Sequence, residues 1–159
     1  MPPDSHVLRP DHLPTPFTAA EIREGCPPGR TVRSLVVAAG ADPYVQVTRF
    51  VSGDEAAAEQ DSWTETIDGR QLTEPRRHRS TWLEFQRHAS MPAAQTRIER
   101  ESIDIPAGHY DCLRYTRTDG DRVDTFWFAT AAPGMPLKFE EHVAGEVVYS
   151  STAIEDRRR

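Results

Sequence analysis

From Thr31 onward the chain alternates at period two, and turn residues break the alternation at short intervals. That pattern limits the fold more than any other feature. Thr31–Ala39 (TVRSLVVAA) and Tyr44–Val51 (YVQVTRFV) are rich in β-branched residues, which suit a pleated surface. With Gly40-Ala41-Asp42-Pro43 between them they read as a hairpin. Ser62–Ile67 reads as a third strand, starting there or a few residues earlier, and Asp68-Gly69 as a tight turn. Residues 70–79 are polar and show no period. Strands resume at Thr96–Ile105, Tyr110–Thr116, Arg122–Ala129, Leu137–Val143 and Glu146–Ile154. The turns between them contain Pro106-Ala107-Gly108, Asp119-Gly120-Asp121, Pro133-Gly134-Met135-Pro136 and Ala144-Gly145. Connections this short join antiparallel neighbours, because a parallel return needs a long crossover.

Two capping boxes mark helices. Thr18 with Glu21, flanked by the Phe17–Ile22 staple, predicts a helix over 18–24, with Gly25 as the left-handed residue that ends it. Thr81 with Glu84 predicts a second helix over 81–90, stopped by Pro92, with Trp82, Phe85 and Ala89 on one face. The expected fold class is therefore α+β and β-rich. It is a single curled antiparallel sheet, a half-barrel or open barrel of about eight strands, with two short helices. Residues 1–16 read as a flexible Pro-rich arm, 17–155 as one β-rich domain and 156–159 as a basic tail.

At 159 residues the chain is long enough to bury roughly 70% of its unfolded surface, so folding requires neither metal nor disulfide. A net charge of −6 argues against nucleic acid as a partner. Arg76-Arg77-His78-Arg79 and Arg157-Arg158-Arg159 read as a solvated loop and tail. The N-terminal segment has no apolar core of a signal peptide, and no run approaches the ~20 apolar residues of a membrane span. The expected compartment is the cytoplasm, where Cys26 and Cys112 are free thiols.

Chemistry-bearing patterns are sparse. His109-x-x-Cys112 has the ligand types of a zinc site, but an offset of three in a strand points the two side chains to opposite faces. Cys26 follows a helix C-terminus, where the dipole raises a thiol pKa. Arg97, Glu99 and Glu101 alternate as a solvated, ion-paired strand face. No catalytic residue, metal or cofactor is expected. Phe126-Trp127-Phe128 is the most informative run, because a strand apolar on both faces needs cover on both. A helix, a dimer partner or an apolar ligand would each serve. Trp82 and Trp127 are expected to be buried in one shared interior.

The order Ile105-Pro106-Ala107-Gly108-His109-Tyr110-Asp111-Cys112, then Thr125-Phe126-Trp127-Phe128-Ala129, then Pro133-Gly134-Met135-Pro136-Leu137-Lys138 covers the C-terminal half. It resembles a bacterial domain-of-unknown-function family that is itself similar to the periplasmic lipoprotein-carrier (half-barrel) fold. The resemblance implies a curled sheet wrapped around a helix with room for lipid. Together these readings predict non-enzymatic binding of an apolar or amphipathic small molecule in the concave face, with Trp82, Tyr115, Phe126, Trp127 and Phe128 as candidate ligand-binding residues. The alternative is a structural or interaction module with a filled core, acting as a homodimer or through a protein partner.

Overall fold

The computed structural model describes residues 4–158; residues 1–3 of the expected arm and Arg159 of the expected tail lie outside them. In chain order the strands are β1 (Thr31–Ala38), β2 (Tyr44–Gly53), β3 (Ala57–Glu65), β4 (Arg76–Thr81), β5 (Thr96–Ile105), β6 (Gly108–Asp119), β7 (Arg122–Ala129), β8 (Lys138–Val143) and β9 (Glu146–Arg157). They form one open, half-barrel-like sheet in the order β4-β3-β2-β1-β9-β8-β7-β6-β5. Every neighbouring pair is antiparallel. Two meanders, β1–β4 and β5–β9, are joined where β1 pairs with β9.

The sheet has nine strands rather than about eight. The extra one is β4, whose RRHRST sequence lies mostly in the segment without a period. As an edge strand it carries exposed cations in place of an apolar face, which protects the free edge from pairing with another chain.

Both capping boxes form. The Thr18 hydroxyl accepts from the Glu21 N–H (3.2 Å) while the Glu21 carboxylate accepts from the Thr18 N–H (3.0 Å), opening α1 (Ala19–Gly25). Thr81 and Glu84 repeat the arrangement at α2 (Trp82–Arg87). Gly25 is the last residue of α1 and is not left-handed. A Cβ there would lie 2.6 Å from the Pro133 carbonyl oxygen, so close approach of the β7–β8 loop, not a turn conformation, selects glycine.

The described part of the expected arm, residues 4–16, is hydrogen-bonded to the domain. The Tyr115 hydroxyl donates to the Pro14 carbonyl (2.6 Å), and the Gln86 amide donates to Ser5 O (2.9 Å) and to Thr15 Oγ1 (3.0 Å). At the other end, Asp156 and Arg157 continue β9. Asp156 accepts from Arg30 Nε (3.1 Å) and Nη2 (2.9 Å), and both side chains are almost wholly buried.

Apolar side chains gather into two clusters. The first holds Phe17, Ile22, Cys26, Phe50, Trp82, Tyr115 and Phe128. The second, beside the β5–β6 turn, holds Ile103, Cys112, Trp127, Ala129, Leu137 and Ala153. Trp82 and Trp127 are both buried, 4% and 6% exposed, but in separate clusters rather than one interior. Strand alternation accounts for the split: Phe126 and Phe128 face the helices, and Trp127 faces away.

Candidate functional site

Register sets out the helix-bearing face in rows that cross the strands. Ile98, Tyr115, Phe126, Phe139, Ser151, Val36 and Tyr44 are successive cross-strand partners in one row. One step along the strands, Arg117, Asp124, Glu141 and Tyr149 form a neighbouring row. One step the other way, Leu113 and Phe128 are partners beneath the helices.

Between α1, α2, the residues before α1 and this face lies a cavity of about 160 Å³. Its wall is mainly apolar and includes five rings, Phe17, Phe50, Phe85, Phe126 and Phe128, joined by Met135. Phe17 meets Phe128 edge-on with centroids 6.3 Å apart, and Tyr115 meets Phe128 edge-on at 5.3 Å. Behind the wall, Trp82 stacks on Phe50 at 6.4 Å and lies 5.7 Å from Phe85. Its polar side chains are Gln86, which is buried, and His88, which is exposed. Gln86 is fully engaged, since its carbonyl also accepts from the Ala19 N–H (2.9 Å).

The loop 133–136 forms one side of the cavity and is fixed from below by Arg30. That guanidinium donates through Nη1 to Pro133 O (2.6 Å) and Gly25 O (2.9 Å), while its other nitrogens hold Asp156. A Cβ at Gly134, whose φ is 144°, would meet Arg30 Nη1 at 2.9 Å. The chain can therefore cross the buried cation only as glycine.

Of the five residues singled out by sequence, Phe126 and Phe128 line the cavity. Tyr115 and Trp82 support its wall from within the same cluster. Trp127 lies in the other cluster, under the Lys138 ammonium at 4.6 Å, with its indole N–H buried and unpartnered. Phe17, Phe50, Phe85 and Met135 were not foreseen as lining. Phe17 and Phe85 carried a signal, as staple and helix-face residues, but nothing local showed that they converge.

The titratable groups are set for structure. Cys26 lines the cavity, and burial pushes its thiol up against the partial opposing effect of Arg30. Cys112 is raised to about 11 by burial. Both are free, buried thiols in different clusters. His109 is bonded to Asp104 (2.7 Å), which raises its pKa. No three His, Cys, Asp or Glu side chains among the described residues are grouped to hold a metal. No helix among them is long and apolar enough to cross a membrane.

No protein-family model matches the chain, and no curated protein matches it in sequence. Among solved structures it is similar to MucB in complex with MucA(peri), with a TM-score of 0.57 and 12% identity over 84% of this chain and 51% of that one. It is also similar to MucB alone, with a TM-score of 0.56 and 9% identity over 86% of this chain and 56% of that one. The chain spans about half the length of these neighbours. At such identity the likeness is one of fold.

Proposed function

We propose that this protein is a non-enzymatic binding protein that receives the apolar part of a small molecule in the cavity between its helices and β7. The cavity itself carries the reading. It is walled by rings from four separate segments with few polar side chains among them, which is the usual character of a small-molecule site. The thiol that lines the cavity, Cys26, supports binding over catalysis, because burial pushes it away from the reactive thiolate. The test is titration with an environment-sensitive apolar dye. Saturable one-to-one binding to the parent, abolished by Met135→Trp, is the expected result. Failure of the parent to bind at saturation sinks the proposal.

A second reading rests on the fold neighbour solved with a protein partner. The same cavity would then take one apolar anchor side chain of another polypeptide. Native mass spectrometry of protein purified from its own cells separates the cases, since it reports a bound small molecule, a second copy of this chain, or a different protein.

A further inference from the structure

We infer that the ligand is an elongated amphipath with an uncharged hydrogen-bonding head, whose apolar end alone enters the cavity. This rests on the binding reading above and adds to it the chemical class. The cavity is too small for a long chain, for a void of roughly 150 Å³ takes no more than benzene. It is not isolated, however. Phe126 lines it and packs on Phe139 at 4.8 Å, and Phe139 packs on Tyr149 at 5.8 Å. These three rings are half-buried and lead out of the cavity across β7, β8 and β9.

The track continues onto β1 and β2. From Phe126 on β7 to Tyr44 on β2 there are four strand spacings, about 19 Å along the sheet at ~4.8 Å each. Beyond the rings, this face presents Ser151, Ser34, Gln46 and the hydroxyls of Tyr149 and Tyr44, all half-buried. None of these is charged at neutral pH. In a chain that is 28% charged, their neutrality marks the track.

An anionic head at the Tyr149 end would have no unengaged cation beside it among the described residues; Arg117, in the same row, lies three strands away and donates to Gln95 Oε1 (3.2 Å). Arg30 is buried on Asp156, and Arg122 is held by Asp124 (3.0 Å) and lies 3.7 Å from Glu141. The side chain directly opposite Tyr149 is the Glu141 carboxylate, which repels an anion. A cationic head would have to displace Arg122 to use that carboxylate. Hydroxyl and amide groups instead suit a glyceryl or sugar-like head.

The experiment displaces the cavity-bound dye with decanoylglycerol, decanoate and decyltrimethylammonium, which share one chain length and differ in head charge. Decanoylglycerol is expected to bind at least about tenfold tighter than either ion, a difference of ~1.4 kcal/mol. In the double variant Tyr44→Phe, Tyr149→Phe, which keeps both rings, the preference over decanoate should fall to within about threefold, the loss expected when hydrogen bonds are removed. Equal or tighter binding of either ion to the parent overturns the inference, as does a preference that survives the double variant. If the dye binds but none of the three displaces it, the class is wrong and the cavity reading stands. If the dye itself does not bind, both fall.

Discussion

The two faces of the sheet solve the same covering problem with different materials. On the helix-bearing face, large rings from the segment before α1 and from α2, β2 and β7 meet one another and leave a cavity. On the reverse face, Trp127 clusters with Cys112 and Ala129, small residues able to fill the gaps around a large one. Further across the reverse face, β9, β1, β3 and β4 are tied by ions. Arg33 bonds Glu65 (3.2 Å) and Glu155 (3.4 Å), and Arg77 bonds Asp61 (2.9 Å). Val45 and Val47, 3% and 0% exposed, lie among these long side chains by register. Their aliphatic stems shield apolar surface as a helix would. Interlocking large with small yields a solid; rigid rings brought together from separate elements leave space. The difference locates the cavity on one face.

The largest expected effect comes from the part that serves both clusters. Met135 packs against each of them, and its loop is held by Arg30 and Asp156. Asp156→Ala leaves a buried guanidinium without its counter-charge, which typically costs ~3–5 kcal/mol. Denaturant unfolding should show that loss, and dye affinity should fall with it as the loop loosens. Loss of stability with unchanged dye binding would show that the cavity does not depend on the loop. Next, Trp127→Ala should cost roughly 3 kcal/mol, the low end for an aromatic, because truncation also removes a buried unpaired N–H. Its dye affinity should stay within about twofold of the parent, since the ring lies on the other face. A parallel loss of binding would merge the two regions into one.

Local features were legible and convergent ones were not. The capping boxes at Thr18 and Thr81 involve residues three apart, so their chemistry is written within a few positions. Hairpins such as β5–β6 follow from period and turn in the same way. β4 escaped because its cross-strand bonds require no apolar alternation at a charged edge. The pairing of β1 with β9 joins segments more than a hundred residues apart, and no local pattern records it. At the site, alternation separates Phe126 and Phe128 from Trp127, yet which side receives the helices is decided by tertiary packing. No local pattern marks Arg30, although its burial with Asp156 fixes the cavity's side.

A smaller effect tests the cavity by filling it. Ala89 is buried at its edge, just beyond α2. Ala89→Leu adds methylenes into space that already exists, so stability should change by less than ~1.5 kcal/mol. Dye affinity should fall at least about tenfold, or ~1.4 kcal/mol. If affinity holds while the variant folds normally, the dye binds elsewhere.

The smallest effect probes the ionic face through pH. Hydrogen bonding to Arg33, with a further bond from the Trp63 indole (2.9 Å), holds the Glu65 carboxyl below the usual glutamate range. A carboxyl depressed by folding adds stability above its unfolded pKa of about 4.3, and that stability is lost as pH falls through the lower folded value. Glu65→Gln removes the titration while keeping shape. At pH 7 the variant should be less stable by about 1 kcal/mol, near the upper value for a partly exposed pair. As pH falls through the depressed folded value the parent's own carboxyl becomes protonated, so the two unfolding curves should converge. All other groups titrate alike in both proteins, which makes the difference between them a readout of this one pair. A gap that stays constant even where acid has protonated the carboxyl would mean that Glu65 supports β3 by packing. The reverse face would then be held together as the helix-bearing face is, by apolar contact, and the contrast between the two faces would lose its ionic half.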